Sequence, residues 1–242
     1  MTGAVARTDQ RVAIVTGASQ GIGAGIVAGY RQRGWAVVAN ALTIKPSDDP
    51  DVLAVEGDVS QTETGDRVVG EALRAFGRVD TLINDAGVYI GKAFTDYSSA
   101  DYARMIAVNL TGFFTMTQRV IPEMLKNSGG HVVTMSATVA ENADAALPAA
   151  LAALTKGGLA SATRSLAIEY AGRGIRFNTV SPGIIQTPLH DPASYASSAQ
   201  HVPMGRVGQI DDIVQGVLFL ESSPYITGET LHIDGGQVAG HT

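Results

Sequence analysis

The sequence contains no cysteine among its 242 residues. Disulfide bonds and thiolate zinc sites are therefore excluded, and a reducing compartment, the cytoplasm, is expected. No apolar run approaches the roughly 20 residues that a membrane-spanning helix needs, so no membrane partner is expected. The first ten residues lack the apolar stretch of a signal peptide, and we interpret residues 1–10 as a short flexible tail.

Positive charge and metal-binding patterns are also sparse. Seventeen lysines and arginines stand against 23 aspartates and glutamates, which gives a formal charge of −6. A nucleic-acid partner is not expected, because a phosphate backbone requires a basic surface. The five histidines form no i, i+4 pair with a carboxylate partner, so no metal site is predicted. The remaining expectation is a small-molecule substrate, bound by a chain long enough for a substantial core.

Short apolar runs alternate with longer helix-like segments along the whole chain. Strands are predicted at residues 11–15, 35–39, 52–56, 81–83, 131–135, 175–180 and 230–233. Helices are predicted at residues 21–33, 64–76, 96–125 with a break near Pro122, 148–171 and 210–220. This alternation is typical of a doubly wound parallel sheet with helices on both faces, an α/β fold in one domain over residues 11–242. The irregular stretch at about residues 188–208 is expected to form a substrate lid.

A glycine-rich turn follows the first predicted strand, at Gly17, Gly21 and Gly23. Glycine permits a tight turn and a close approach of the backbone to a pyrophosphate. The helix that follows directs its free N–H groups and the positive end of its dipole at such an anion. The three residues between Gly17 and Gly21 distinguish this turn from G-x-G-x-x-G and from the nucleoside-triphosphate loop. An ordinary strand-to-helix turn is the alternative interpretation.

Five further motifs follow this turn, which reads T-G-x-x-x-G-I-G over residues 16–23. They are N-D-A-G at 84–87, V-N-L around Asn109, K-G-G at 156–158, P-G-I-I-Q-T at 182–187 and I-D-G-G at 233–236. Taken in this order, the motifs resemble those of the short-chain dehydrogenase/reductase family over about residues 10–237. The resemblance implies a Rossmann-type domain that binds NAD(P) and an oxidoreductase that transfers hydride. Asp85 departs from the pattern, since the family has a second asparagine there, and we assign it no role.

The resemblance also implies which residues hold the dinucleotide. The residues implied to line the pyrophosphate and ribose are Gly17, Ser19, Gln20, Gly21 and Ile22. Those implied to hold the adenine are Asp58 and Val59, and those implied to pass under the cofactor are Asn84, Ala86 and Gly87. Lys156 is implied to bond the nicotinamide ribose, and the residues implied to pack on or bond the nicotinamide are Pro182, Gly183, Ile185 and Thr187. By the same resemblance, the helices at 96–125 and 148–171 and the last strand form the interfaces of a homo-oligomer, a tetramer or dimer.

The end of the second strand distinguishes NAD(H) from NADP(H) in this family. An acidic residue there accepts a hydrogen bond from the ribose 2′-hydroxyl, whereas an arginine or lysine pairs with a 2′-phosphate. Here Asn40 can serve either role weakly, and no arginine lies at or next to the strand end. Lys45 reaches a phosphate only if its loop folds back, and the alternative is a solvated loop charge. We therefore expect NAD(H) or NADP(H), with a slight preference for NAD(H).

The residues that the family uses for catalysis are only partly present. In the family a tyrosine exchanges a proton with the substrate oxygen, a lysine lowers that tyrosine's pKa, a serine orients the carbonyl and an asparagine anchors a water relay. Lys156 and Asn109 match, but Ala152 stands at the tyrosine position and has no proton to give. The serine position aligns with Ala137, and the hydroxyl of Thr138 is favoured over that of the preceding serine as its substitute.

Four explanations of Ala152 stay open. In the first, the substrate is an imine, which as an iminium ion accepts hydride without an acid. In the second, another group donates the proton. In the third, the protein binds the cofactor without turnover, and in the fourth, the alanine is an engineered replacement. The candidates for another donor are Tyr89, Lys156, and His190, Tyr195 and His201 of the lid. The sequence thus predicts an oxidoreductase acting on a carbonyl or imine, with imines favoured, or alternatively a silent dinucleotide-binding or assembly protein.

Overall fold

The centre of the molecule is a seven-stranded sheet. A computed structural model describes residues 10–145, 147–189 and 191–240. Apart from residue 10, the tail predicted at residues 1–10 lies outside these described residues. The strands are β1 (Val12–Thr16), β2 (Ala36–Ala41), β3 (Val52–Glu56), β4 (Thr81–Asn84), β5 (Gly130–Met135), β6 (Ile175–Pro182) and β7 (Thr230–Ile233). All neighbouring strands are parallel, in the order β3-β2-β1-β4-β5-β6-β7. The predicted doubly wound parallel sheet is confirmed.

The order of the strands reverses at the centre of the sheet, between β1 and β4. The chain leaves β1 to one side to form β2 and β3, then returns to place β4 on the other side of β1. The connections after β1 and β4 therefore diverge, and a crevice opens at the carboxyl ends of these two strands. Every turn that carries a candidate cofactor motif begins at this edge of the sheet.

Helices cover both faces of the sheet. They are α1 (Gly21–Gln32), α2 (Thr62–Phe76), α3 (Ser99–Met105), α4 (Gly112–Lys126), α5 (Ala150–Tyr170), α6 (Tyr195–Ser198) and α7 (Ile210–Ser222). One apolar core lies between the sheet and helices α2, α4 and α5, and a second lies between the sheet and helices α1 and α7. All five residues of β1 are buried, because a central parallel strand has protein on both faces.

The helix predicted at residues 96–125 is interrupted at a different place from the one predicted. No break occurs at Pro122, which lies inside α4. Proline removes one backbone N–H donor, but packing of the neighbouring Val120, Ile121 and Met124 into the core keeps this helix intact. The interruption is instead a π-helical turn, Ile106–Thr111, between α3 and α4. Such wide turns are frequent at functional sites, and this one contains Asn109.

The stretch predicted as a lid consists of short helical turns at the carboxyl edge of the sheet. A 3₁₀ turn at Pro192–Ser194, α6 and a second 3₁₀ turn at Ala199–His201 follow one another. The far end of the stretch is anchored on the turn after β7, because the Met204 amide donates to the Gly235 carbonyl at 3.1 Å. The lid function stays a prediction. Within the described ranges, no helix combines the length and apolar character needed to cross a membrane.

Candidate functional site

A cleft of about 1290 Å³ opens at the carboxyl edge of the sheet, at the reversal between β1 and β4. Every residue that sequence reasoning assigned to the cofactor lines this cleft, except Asn84. Asn84 is buried at the end of β4, where its amide donates to the Thr117 hydroxyl at 3.0 Å and ties β4 to α4. The topology thus brings together turns that are up to 170 residues apart in sequence, as the motif order predicted.

The glycine turn is shaped to admit a phosphate group. Gly17 and Gly21 have φ values of +70° and +58°, a conformation that side chains oppose. A Cβ on Gly17 would lie 2.9 Å from the amide nitrogen of Ala86, so glycine alone lets the two turns meet. The hydroxyl of Thr16 fixes the contact by accepting hydrogen bonds from the Asp85 and Ala86 amides, both at 3.1 Å. The first turn of α1 directs its N–H groups into the cleft that results.

The end of the cleft that is assigned to the nicotinamide is also closely packed. A Cβ on Gly87 would lie 3.3 Å from Lys156 Nζ and 3.4 Å from Asn109 Oδ1, so a side chain there would fill the space a cofactor needs. On the opposite wall, Thr187 faces Gly21, whose added Cβ would lie 3.6 Å from the Thr187 Cβ. Both walls carry residues that the sequence assigns to a dinucleotide.

Asn40 has a structural role besides the one expected of it at the cofactor. Its side chain is fully buried, and its amide donates to the Val55 and Gly57 carbonyls at 3.0 and 3.2 Å. These bonds hold the turn that presents Asp58 and Val59 to the adenine end of the cleft. Because its donor is occupied, Asn40 can offer a ribose only its Oδ1 atom, which has no hydrogen-bond partner. A direct contact with the cofactor stays a prediction.

Lys156 lies deep in the cleft on α5. Its Nζ donates to the Met135 carbonyl at the end of β5 at 2.8 Å. Enclosure by protein lowers the pKa of this ammonium to about 8, because burial disfavours the charged form, although the charge of Asp85 acts in the opposite direction. Two of the three N–H bonds of Lys156 remain for a ribose or a substrate.

Asn109 supports this region from behind rather than lining the cleft. It is buried in the π-helical turn, and its Oδ1 accepts from the Val88 amide at 2.9 Å. Its Nδ2 donates to the Val88 carbonyl and to the Thr155 hydroxyl, both at 3.1 Å. These bonds tie the segment after β4 to α5, and Tyr89 and Lys156 of these two elements line the same cleft.

Ala152 and Ala137, which the sequence resemblance aligned with the family's catalytic positions, both line the cleft. Ala152 is 1% exposed and lies one helical turn before Lys156, on the same side of α5. Ala137 also lines the cleft, between Ser136 and Thr138. The Ser136 hydroxyl is used within the fold, since it donates to the Lys156 carbonyl at 3.2 Å. Thr138 and Ser136 both line the cleft, so the choice of Thr138 over Ser136 stays a prediction.

Asp85 is the site residue that sequence reasoning missed. Its carboxylate lines the floor of the cleft and accepts a hydrogen bond from the Gly23 amide in the first turn of α1. Burial raises the pKa of this carboxyl to about 7, and the nearby charge of Lys156 opposes that shift. The available sequence signal was the replacement of an amide by an acid at a motif position.

Two of the other candidate proton donors, Tyr89 and Tyr195, are less well placed than Lys156. Tyr89 lines the cleft, but burial raises the pKa of its phenol further above the ordinary value, which makes it a weaker acid. The Tyr195 hydroxyl is bonded to the Thr187 carbonyl at 3.3 Å, and Tyr195 is not among the cleft-lining residues. His201 lines the cleft. His190 lies outside the described residues. Across the described part of the chain, no group of three histidines or acids could hold a metal ion.

Comparison with known proteins assigns the chain to a family. Residues 17–237 match the family described as enoyl-(acyl carrier protein) reductase. The chain is 33% identical to 3-oxoacyl-[acyl-carrier-protein] reductase of Thermotoga maritima, over 96% of this chain and 99% of that protein. It also resembles the 3-ketoacyl-(acyl-carrier-protein) reductase of Brucella melitensis complexed with NADH, with a TM-score of 0.85, 30% identity, and coverage of 94% and 98% of the two chains.

A third likeness is to a solved structure, ElxO with NADP bound. Its TM-score is 0.89 at 26% identity, with 96% of this chain and 100% of that chain covered. The two solved neighbours thus contain different nicotinamide dinucleotides, so they do not decide between NAD and NADP here. The chain belongs to the short-chain dehydrogenase/reductase family, whose members are NAD(P)-dependent oxidoreductases.

Proposed function

We propose that this protein is an NAD(P)H-dependent reductase that favours imines over ketones. The single observation that carries the preference is the alanine at position 152, on the cleft wall beside Lys156, where the family has its proton-donating tyrosine. A bound dihydronicotinamide would supply hydride. The cleft would hold it through the glycine turn at its pyrophosphate, Asp58 and Val59 at its adenine, and Lys156 and Thr187 at its nicotinamide end.

Charge explains the preference for imines. Hydride addition to a ketone creates an alkoxide, which needs a proton in the transition state, and a positioned acid contributes typically 10²- to 10⁴-fold to such a step. Hydride addition to an iminium ion instead neutralises a positive charge and produces an amine directly. The loss of the tyrosine therefore costs ketone reduction much more than it costs iminium reduction.

The mouth of the cleft supports a bulky, weakly polar substrate. Phe94, Leu147 and Leu189 line it and are between 49% and 75% exposed. Exposed apolar side chains around a polar floor favour a ligand with a hydrophobic ring and one reactive polar group. Bicyclic aromatic imines and ketones meet this description.

Three bicyclic compounds of similar shape test the proposal: 3,4-dihydroisoquinoline, its N-methyl iminium salt and 1-tetralone. At pH 7, we expect kcat/KM for the two nitrogen compounds to exceed that for 1-tetralone by about 100-fold, which is the low end of the contribution of a general acid. The measurement is NADH or NADPH oxidation followed at 340 nm. Equal values for the imine and the ketone would contradict the proposed preference.

The same assay, run with both dinucleotides, tests the slight preference for NAD(H). The end of β2 has no acid or arginine, Asn40 uses its amide within the fold, and exposed Leu42 follows the strand. A missing cation removes the partner of a 2′-phosphate, which supports NAD(H). A higher kcat/KM with NADPH than with NADH would reverse this assignment.

A silent dinucleotide-binding protein is the second candidate, because both Ala137 and Ala152 lack a functional group. Titration of the protein with NADH, followed by nucleotide fluorescence, separates this candidate from a protein that fails to bind. Binding of NADH, with no NADH oxidation in the presence of each of the three compounds in turn, would favour the silent protein.

We also propose a homo-oligomer, with α4 and α5 at its interfaces. Phe114 on α4 and Leu154 and Ile168 on α5 are 60%, 59% and 82% exposed, respectively, and a partner subunit on these helices would bury them. Light scattering of the purified protein measures the mass, and a monomer of 25.1 kDa would contradict this proposal.

A further inference from the structure

Asp85 and Lys156 place opposite charges on the floor of one cleft. Asp85 follows β4, and Lys156 lies on α5. A Cβ added to Gly87 would lie 3.3 Å from Lys156 Nζ and 3.7 Å from the Asp85 carbonyl oxygen, so the two residues meet at this segment. Each side chain has one bond to the backbone: the Asp85 carboxylate accepts from the Gly23 amide, and Lys156 Nζ donates to the Met135 carbonyl. Both residues line the cleft, so neither charge is sealed away from a ligand.

Resting on the function proposed above, we propose that Lys156 is the proton donor to the substrate and that Asp85 is its counter-ion. Asp85 holds the proton on Lys156 before transfer and balances the positive charge on the substrate nitrogen after transfer. Lys156 is then a catalytic residue, and Asp85 is a positioning residue that acts through it.

The space beside Lys156 supports a direct transfer. Ala152 ends at its Cβ, one turn along the same side of α5, so no larger side chain from this position separates Nζ from the cleft. Nζ has three hydrogens, of which the Met135 carbonyl takes one. One of the others can bond the ribose, and one remains for a substrate atom.

The step balances without a further reagent besides a dihydronicotinamide dinucleotide. One N–H bond of Lys156 breaks and leaves its electron pair on Nζ, while the proton forms a bond with the imine nitrogen. The imine carbon accepts hydride, and the π pair of the C=N bond becomes the lone pair of the amine product. The neutral Lys156 then takes a proton from water. With a ketone, the same proton reaches the oxygen only as hydride adds, because a ketone oxygen is far less basic than an imine nitrogen. Lys156 therefore assists ketone reduction much less than imine reduction.

The charge balance favours the nitrogen substrate. Between pH 7 and pH 8, given the pKa of about 7 for Asp85 and of about 8 for Lys156, the cleft floor holds one ammonium and one carboxylate before transfer. After transfer it holds one iminium and the same carboxylate. The net charge is unchanged, so Asp85 stabilises the substrate cation as it stabilised Lys156. A general acid works best when its pKa lies near the operating pH. The pKa of Lys156, lowered to about 8, meets this condition, whereas burial moves the pKa of Tyr89 away from it.

Asp85 is the charged group that raises the pKa of Lys156 against the effect of burial. The neighbouring elements present uncharged groups to Lys156. From β5 this group is the Met135 carbonyl, and from the π-helical turn it is Asn109 Oδ1, which like Lys156 Nζ lies within 3.4 Å of a Cβ added to Gly87. Further titratable side chains line the cleft, namely Asp58, Tyr89, Lys92, Arg104, Asp144 and His201.

The test is the Asp85→Asn variant, which restores the family's asparagine and keeps the shape of the side chain. Asp66→Asn is the matched control, since Asp66 pairs with Arg119 on the surface at 2.5 Å and does not line the cleft. In protein labelled with [¹³Cε]lysine, the Lys156 signal, identified by its loss in Lys156→Arg, is followed by NMR against pH. We expect its midpoint near 8 to fall by at least about half a pH unit in Asp85→Asn, since the supporting negative charge is removed.

The same proteins are assayed from pH 6 to 10. Reduction of 1-tetralone and 3,4-dihydroisoquinoline should decline above the Lys156 midpoint, and this decline should move to lower pH in Asp85→Asn. Reduction of the N-methyl iminium salt needs no proton and should show no such decline. Asp66→Asn should behave as the unaltered protein does in every measurement.

Each result decides a different claim. An unchanged Lys156 midpoint in folded Asp85→Asn, verified by circular dichroism, would overturn the role of Asp85. Turnover with a decline that does not follow the Lys156 midpoint would overturn Lys156 as donor and leave the proposed function standing. No turnover with any of the three compounds would overturn the proposed function together with the donor role, whatever the NMR titration shows.

Discussion

Replacing Ala152 by tyrosine together with Ala137 by serine is expected to raise kcat/KM for 1-tetralone about 100-fold. The tyrosine would return a proton donor to the wall beside Lys156, and the serine would return a hydroxyl that orients the carbonyl. Lys156 and Asn109 are already in place, with Nζ bonded to the Met135 carbonyl and Asn109 holding the facing segment. A restored general acid contributes typically 10²- to 10⁴-fold, and the low end is expected in a cleft that did not evolve around the new side chains.

The control for this experiment is the same double replacement with phenylalanine at position 152. Phenylalanine fills the space of the ring but has no hydroxyl, so ketone reduction should stay at the level of the unaltered protein. Reduction of the N-methyl iminium salt should change less than about threefold with tyrosine, because that substrate needs no acid. Equal gains from tyrosine and phenylalanine would show that the shape of the cleft, and not the missing acid, limits ketone turnover.

The fold was largely predictable because its signals are local. The predicted bounds of β3 and β7 agree with the structure, and those of β1, β2, β4, β5 and β6 differ by one or two residues at their ends. Buried parallel strands are continuous apolar runs, which are easy to recognise between amphipathic segments. The same holds for the glycine turn, since Gly17 is required by its own positive φ and by the adjoining backbone.

The structure departs from the sequence predictions where contacts between residues distant in sequence determine the local structure. Pro122 carries a local signal for a helix break, but the packing of α4 against the sheet outweighs the loss of one hydrogen bond. Asn40 is predicted to contact the cofactor weakly, and nothing in the sequence indicates its hydrogen bonds within the fold. Its partners, Val55 and Gly57, belong to a strand whose register could not be known from the sequence.

Asp85 and Lys156 show the same limit within the site. Seventy residues separate them, and only the fold shows that both side chains reach one cleft floor. The aspartate at position 85 was visible in the sequence, but its position beside Lys156 was not. Asp85 and Ala152 line the same cleft, which supports the chemistry proposed above.

Gly17→Ala is expected to weaken NADH binding at least about 100-fold and to lower the free energy of unfolding by about 2 kcal/mol. The new Cβ would lie 2.9 Å from the Ala86 nitrogen and 3.0 Å from the Ala86 Cα, both backbone atoms that cannot rotate away. In addition, a Cβ on a residue with φ near +70° destabilises the folded backbone by roughly 1–2 kcal/mol. The turn and the segment after β4 must therefore separate, and these are the two walls between which the pyrophosphate and nicotinamide are expected to lie.

Gly70→Ala is the matched control for this prediction, because it adds the same methyl group at a helical position of α2 with no atom within 4 Å. It should raise the free energy of unfolding by up to about 1 kcal/mol, since alanine is the better helix former, and should leave the NADH dissociation constant unchanged. Fluorescence titration and urea unfolding provide the two measurements. Tight NADH binding by Gly17→Ala would show that the glycine turn does not carry the pyrophosphate, and the cofactor would then have to be placed elsewhere in the cleft.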